Sequence, residues 1–213
     1  MDFIFDPSLL LYLPLYELDG ASFMSKETNG HLCTATGAAW KPDGRYFDGS
    51  DDYIDCGSNI AIANKSFTLE VWVKRAVSGV NHHIISAGVN GIDWQQLYFR
   101  YSATSFFFAI RGDGASVYSL PSPYGVDMWI HWVGTYHQPS KLETLFMNAD
   151  PVQTFTSPQD YVGPANLDIG RLVDTSPAEQ VFNGLVGEVR VYTRALAPQE
   201  IRHNYLATKW RYR

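Results

Sequence analysis

The chain has 213 residues, of which 46% are apolar and 18% are charged, and its formal net charge at pH 7 is -6. A chain of this length can form a core without disulfides or metal ions, which excludes a small disulfide-stapled scaffold. The excess of acidic residues opposes binding to a phosphate backbone, so we expect no nucleic acid partner. The longest apolar runs are too short to span a bilayer, and we expect no membrane insertion.

Apolar and polar residues alternate with a period of two along much of the chain, which predicts that it is mostly β-strand. In the clearest case, Phe67, Leu69, Val71 and Val73 share one strand face, and we expect that face to contact the core. Six strands are predicted in this way, over residues 9–15, 67–74, 97–101, 106–111, 129–136 and 185–192.

Turn-forming sequences such as Asn90-Gly91 and Asn183-Gly184 separate these strands. Many short strands without intervening helices are typical of an all-β, antiparallel sandwich or jelly roll. Pro198 and Glu200 favour a helix start, which predicts one short C-terminal helix lying across a sheet. Because no repeat or low-complexity tract divides the chain, we expect a single domain over residues 1–213.

Several separated segments resemble, in the same order, the laminin G-like jelly-roll family of the concanavalin A-like superfamily. They are YFDGSDDYI at 46–54, FTLEVWV at 67–73, WIHWVGTY at 129–136, LFMN at 145–148 and FNGLVGEVRVY at 182–192. The resemblance implies a two-sheet, concanavalin A-like jelly-roll sandwich. The sequence departs from the family pattern at two places. Asn183-Gly184 stands before the last strand, where the family has Asp-Gly, and Gly187-Glu188 stands within that strand, where the family has Asp-Glu.

A calcium site is the metal hypothesis that the residues favour. Asp48, Asp51 and Asp52 lie on one turn and offer the hard oxygen ligands that Ca²⁺ prefers. Several relatives in the resembled family bind calcium, and the resemblance implies that the two end blocks lie close together. Asn183 or Glu188 would then complete the coordination shell. Each part of this hypothesis has an alternative. The acidic residues could form an ordinary turn whose side chains bond the local backbone, and Glu188 could form an ion pair with Arg190 on the sheet.

A sugar site is predicted around residues outside the strongest strands. Trp94, Tyr118 and Tyr124 would supply aromatic faces for stacking, and Asp93 and Gln96 would supply hydrogen bonds to hydroxyl groups. The competing interpretation is that Trp94 is a partly buried anchor at a strand edge.

Catalysis is not expected, because glycoside hydrolysis needs two carboxylates across the scissile bond. Neither the strand containing Glu70 nor the one containing Glu188 supplies a second acid on the same face, although acids from different strands could still meet. Adjacent strand residues point to opposite faces, so His82-His83 is expected to have a surface or hairpin role rather than bind a metal. We expect His131 to be a hydrogen-bonded sheet histidine.

The chain has two cysteines, Cys33 and Cys56. This number is compatible with a disulfide or with buried thiols, and we expect buried free thiols.

The residues and the resemblance together predict a non-catalytic recognition module that binds a glycan or a protein surface through loops or a sheet face. The alternative is a structural component of an assembled particle, such as a virion decoration, capsid-surface or fibre protein, that self-associates or docks on a larger particle. The chain starts at Met1 without a secretory signal, and Phe3-Ile4-Phe5 and Trp210–Arg213 suit docking on neighbours. A cell-surface or virion-associated location is therefore expected over a free cytoplasmic one. A glycoside hydrolase or polysaccharide lyase is the least favoured function.

Overall fold

Two antiparallel sheets pack face to face in this chain. The computed structural model describes residues 5–89, 92, 95–103, 105–111, 120–121, 126–173 and 180–213. Within these residues the strands are β1 (Leu9–Pro14), β2 (Ser22–Met24), β3 (Leu32–Thr36), β4 (Ala39–Lys41), β5 (Gly44–Asp48), β6 (Tyr53–Asp55), β7 (Phe67–Arg75), β8 (His82–Gly88), β9 (Gln96–Tyr101), β10 (Ser105–Arg111), β11 (Leu120–Pro121), β12 (Trp129–His137), β13 (Leu142–Met147), β14 (Asp150–Thr156), β15 (Leu167–Ile169) and β16 (Asn183–Tyr192). One α-helix, α1 (Pro198–Thr208), follows. The expected jelly-roll sandwich is confirmed.

The first sheet has the order β14-β13-β12-β7-β16-β5-β4, and β1 also pairs with β16. The second sheet has the order β11-β10-β9-β8-β15-β6-β3-β2. Neighbours in each sheet are often far apart in sequence, as β7 and β16 are, so the topology brings distant segments side by side.

The core lies between the two sheets. Phe67, Leu69, Val71 and Val73 of β7 are all inside it, as the period-two pattern predicted. Aromatic side chains fill much of the space between the sheets, as the stacked rings of Phe106 and Trp132 show, with centroids 3.9 Å apart. All six predicted strands are present, and the ten other described strands complete the sheets.

The outer face of the first sheet is covered by α1, as predicted. Pro198 opens the helix, and the Glu200 carboxylate accepts a hydrogen bond from the Ala197 backbone N–H at 2.8 Å. Ile201 is fully buried in a second, smaller apolar cluster beneath the helix. In the described part of the chain, no helix has the length and hydropathy needed to cross a membrane.

The expectation of a surface or hairpin role for His82-His83 is wrong. Both side chains are buried in β8, which lies between β9 and β15 within the second sheet. His82 packs edge-on against Phe182, and His83 packs edge-on against Tyr98. Their side chains are covered because the strand is internal.

Candidate functional site

The acidic turn, residues 48–52, connects β5 to β6 at one end of the sandwich. The Asp48 Oδ1 atom accepts the Ser50 N–H at 2.8 Å, and Asp52 Oδ2 accepts the Asp48 N–H at 2.8 Å. One oxygen from each of Asp48, Asp51 and Asp52 lies within 4.8 Å of the others. Burial raises the pKa of Asp52, and the neighbouring carboxylates add to this effect. The turn is therefore both locally bonded and rich in converging oxygen atoms.

Asn183 lies directly opposite this turn, because β16 pairs with β5 in a register that matches Asn183 with Asp48. Its side-chain Nδ2 donates a hydrogen bond to the Asp48 carbonyl at 2.7 Å. Gly49 approaches closely at a φ of 85°, and a Cβ atom there would lie 2.8 Å from Asn183 Nδ2. The structure thus brings together the two sequence blocks that the family resemblance paired.

The donor set of the acidic turn fits calcium chemically. All three converging side chains offer carboxylate oxygens, which are the ligands that Ca²⁺ prefers. Asp48 and Asp52 each use one oxygen to hold the turn backbone. Asp48 and Asp51 are exposed, whereas Asp52 is buried with its Oδ1 against Gly37.

Glu188 is not near this turn. It lies five residues beyond Asn183 on β16, a separation of about 16 Å at the usual strand rise. Its side chain is buried and forms an ion pair with Arg190. The proposed role of Glu188 in the metal shell is therefore corrected, and the alternative ion pair with Arg190 is the one that the structure contains.

A buried charge network lies on the outer face of the first sheet, beneath α1. The Arg190 guanidinium contacts both Glu70 and Glu188, so two acids from different strands do meet. Glu70 also accepts hydrogen bonds from His131 Nε2 and from Asn204 Nδ2 of α1, each at 2.9 Å. The expectation of a hydrogen-bonded sheet histidine at His131 is confirmed.

The two carboxyl groups of this network have pKa values shifted in opposite directions. Burial would raise the pKa of Glu70, but the Arg190 charge and the hydrogen bonds from His131 and Asn204 lower it to about 2. Burial raises the pKa of Glu188, and the charge of Arg190 only partly offsets this effect. The difference follows from the larger number of donors around Glu70.

The C-terminal segment encloses the network. Tyr212 stacks on Trp72 with ring centroids 4.6 Å apart and contacts Trp129 at 4.8 Å. The Tyr212 hydroxyl donates to Glu188 Oε2 at 3.4 Å. Tyr212 is therefore an internal packing residue rather than a free docking residue, whereas Trp210 is 57% exposed. At the other end, Phe5 is exposed and residues 1–4 lie outside the described residues.

A cleft of about 300 Å³ opens beside the acidic turn. Its walls combine apolar and uncharged polar residues: Gly49, Val77, Val80, Asn81, His82, Gln180, Val181 and Asn183. Considering only partners that the structure describes, three side-chain atoms here make no hydrogen bond: His82 Nε2, Gln180 Oε1 and Asn183 Oδ1. All three atoms are buried in the wall of the cleft. The cleft itself is open and combines polar with apolar side chains, a composition that suits a polar ligand.

His82 is held in one orientation in this cleft. The Asn183 backbone N–H donates to His82 Nδ1 at 3.0 Å. Burial lowers the pKa of His82, and a backbone contact with Val181 opposes this shift. In a neutral imidazole that accepts at Nδ1, Nε2 carries the proton, and this donor is buried in the wall of the cleft.

The residues predicted for sugar binding have different outcomes. Trp94, Asp93, Tyr118 and Tyr124 lie outside the residues that the structure describes. Gln96 is buried in β9, opposite Gly88 of β8, so the expectation of an exposed hydrogen-bonding group there is wrong. Its side chain is covered because the inner strand β9 is packed on both faces at this position.

Comparisons with known proteins agree with the fold. A laminin G family model, described as the concanavalin A-like lectin/glucanases superfamily, matches residues 48–202. No curated protein matches the sequence. Among solved structures, the Trypanosoma rangeli sialidase in complex with sialic acid aligns with a TM-score of 0.73 and 16% identity, covering 98% of this chain and 34% of the sialidase.

Botulinum neurotoxin binding domains are also similar in structure. The serotype D binding domain has a TM-score of 0.71 and 13% identity, and the match covers 94% of this chain and 52% of the toxin chain. The binding domain of botulinum neurotoxin DC in complex with SialylT has a TM-score of 0.71 and 12% identity, over 94% and 51% of the two chains. This chain therefore spans about a third of the sialidase chain and half of the toxin chains, and at these identities the likeness shows the fold alone.

Proposed function

Because this chain belongs to the laminin G family of the concanavalin A-like lectin/glucanases superfamily, we propose that it is a glycan-binding module. The observation that carries the proposal is the cleft beside the acidic turn, with its three unpaired polar atoms. The fold also fits, since solved relatives include a sialidase with sialic acid and a toxin binding domain with SialylT.

The chemistry of the cleft suits a sugar ring. After a side-chain movement that exposes these buried atoms, Gln180 Oε1 and Asn183 Oδ1 would accept hydrogen bonds and His82 Nε2 would donate one, which matches hydroxyl groups that both donate and accept. Val77 and Val80 add partly exposed apolar surface against which the C–H face of a sugar can pack. A few placed polar groups within apolar walls are the usual composition of a small-molecule site.

The charge of this region favours a neutral sugar over a carboxylate-bearing one. No residue that lines the described cleft carries a formal charge when His82 is neutral. Without a bound cation, the acidic turn next to it would repel the carboxylate of a sialic acid. In calcium-free buffer we therefore expect neutral glycans to bind more tightly than their sialylated counterparts.

A glycan array that contains matched neutral and sialylated oligosaccharides tests this function. The wild-type chain should bind neutral members, and Gln180→Ala should weaken binding about tenfold because a hydrogen bond to the ligand is lost. Gln153→Ala on the edge strand β14 is the matched control, since this exposed glutamine lies at the far end of the first sheet. An array without bound glycans, or equal binding by wild type and Gln180→Ala, would contradict the proposal.

Calcium binding at the acidic turn is a second part of this proposal. Asp48 and Asp51 would supply ligands, and Asn183 would hold the turn in place through its hydrogen bond to the Asp48 carbonyl. A calcium ion bound there would coordinate the hydroxyl oxygens of a sugar at the rim of the cleft.

Calcium should raise the melting temperature of the wild type, and a chelator should reverse the change. Asp51→Asn should abolish the response, whereas the exposed Asp150→Asn in β14 should retain it. An unchanged melting temperature in millimolar calcium would contradict calcium binding and would mean that the acidic turn has only a structural role.

We also propose that the module does not catalyse glycoside cleavage. The two acids that the outer sheet face brings together, Glu70 and Glu188, both contact Arg190 and are enclosed beneath α1 and Tyr212. A substrate could not reach them without displacing the helix. Fluorogenic glycosides incubated with the chain should release no product above the rate in buffer. Turnover that is lost in Glu188→Gln would overturn this part of the proposal.

A further inference from the structure

The two cysteines occupy facing positions on adjacent strands. β3 pairs with β6 so that Thr34 is opposite Asp55 and Ala35 is opposite Ile54. Continuing this register by one residue places Cys33 opposite Cys56. Directly opposed residues in antiparallel strands have Cα atoms about 4.5 to 5.5 Å apart, which lies within the range that a disulfide can bridge.

The two side chains lie on the same face of the sheet, because directly opposed residues of paired strands do so. Both cysteines belong to the main core and are almost completely buried. The neighbouring Cys33 side chain and burial raise the pKa of the Cys56 thiol, and the Cys33 thiol donates to the His31 carbonyl at 3.7 Å. Both thiols are free in this structure. The opposed positions allow the two sulfur atoms to reach bonding distance without a change of strand register.

From this geometry we infer that Cys33 and Cys56 form a reversible redox site that closes into an intramolecular disulfide on reaction with a low-molecular-weight disulfide such as oxidised glutathione. One thiolate attacks the glutathione disulfide and releases one glutathione, which leaves a mixed disulfide. The second cysteine attacks the protein sulfur of that mixed disulfide and releases the second glutathione. The two protein thiols lose two electrons and two protons, and both glutathione thiols gain them.

The disulfide would enclose the segment that carries the acidic turn. Residues 33–56 include β4, β5 and the whole of the turn. Cross-linking the ends of this segment restricts the unfolded chain more than the folded one, so the oxidised form should be the more stable form. The site lies next to an edge, because β3 is followed only by the three-residue strand β2. Local opening of that edge is the route by which an oxidant reaches the buried thiols.

The test uses the full chain in glutathione buffers that range from reducing to oxidising, both in the native state and during refolding from denaturant. Refolding removes limited access as a reason for failure. After acid quenching, free thiols are alkylated in denaturant and the chain is digested with trypsin. The tryptic peptides 27–45 and 46–65 each carry one cysteine. We expect them to be joined after oxidising treatment, with the loss of two hydrogens, and to be separate after reduction.

The oxidised chain should keep its circular dichroism spectrum and melt at a higher temperature than the reduced chain. Cys33→Ser is the control, since it cannot form the disulfide and should melt at the same temperature in every buffer. Three results would overturn the inference: separate peptides after oxidative refolding, disulfides only between chains or to glutathione, or an oxidised chain that melts at a lower temperature than the reduced chain.

Discussion

Glu143 is a carboxylic acid that the fold holds in an apolar setting. It lies in β13, opposite Tyr136 of β12 and Phe155 of β14, and is fully buried. Burial raises its pKa to about 8, and a hydrogen bond with Ser157 only partly opposes this effect. The folded chain therefore holds Glu143 protonated at neutral pH.

The protonation of Glu143 makes stability depend on pH with a definite sign. The unfolded chain releases this proton near its ordinary pKa of 4.5, whereas the folded chain keeps it until about pH 8. The stabilising contribution is therefore complete below about pH 4.5 and is lost as the pH rises towards 8. Glu143→Gln should unfold at a higher urea concentration than the wild type at pH 8, with a smaller difference at pH 5.

Glu17→Gln, at an exposed position, is the control for this pH dependence and should follow the wild type at both pH values. A Glu143→Gln variant that is less stable than the wild type at pH 8 would show that the buried group is ionised and paired in the folded chain.

At the scale of elements, the C-terminal segment stabilises the fold more through the buried ring of Tyr212 than through the exposed ring of Trp210. Tyr212 packs against Trp72, Trp129 and the backbone of Gly187, where a Cβ atom would lie 2.3 Å from the tyrosine ring. Tyr212→Ala should lower the free energy of unfolding by about 3 kcal/mol, as truncation of a buried aromatic side chain usually does. Tryptophan fluorescence should shift to longer wavelength because Trp72 and Trp129 gain contact with water.

Trp210→Ala is the matched comparison, since it removes an exposed ring from the same segment. It should change the free energy of unfolding by less than about 0.5 kcal/mol. Equal effects of the two substitutions in urea titrations would mean that the tail is not held by Tyr212.

The strands with a clear period-two alternation could be predicted from the sequence, and the very short ones could not. In β7, four apolar residues at alternate positions gave a clear signal, and the core uses that face. β4 and β11 contain three and two residues, which is too few to show any period. β8 was missed because it begins with two polar residues, His82 and His83, which are nevertheless buried. Tertiary packing overrides local propensity at this strand.

The candidate site was predictable only where a family pattern connects distant segments. The resemblance placed Asn183 near Asp48, and the strand register agrees. His82 and Gln180 were missed as cleft residues because β16 and β8 approach only in the folded chain. Glu188 was misplaced because adjacency of two sequence blocks does not say which end of a ten-residue strand meets the turn.

At the scale of the whole molecule, the sandwich leaves different surfaces available for binding. Around β7, β12 and β16, the outer face of the first sheet is covered by α1 and Tyr212. This covered area cannot also hold a ligand, so recognition through that part of the sheet is disfavoured. The cleft beside the acidic turn lies at the strand ends, where loops from both sheets converge. The net charge of -6 adds to the preference for uncharged ligands.

The most direct test of this account is to map, by NMR, the backbone amide signals that change when the best-binding neutral glycan from the array is titrated into the chain. The account predicts that the largest changes occur at Gly49, His82, Gln180 and Asn183. Changes concentrated around the covered face, at Trp72 and Tyr205, or at residues remote from the acidic turn, would contradict it.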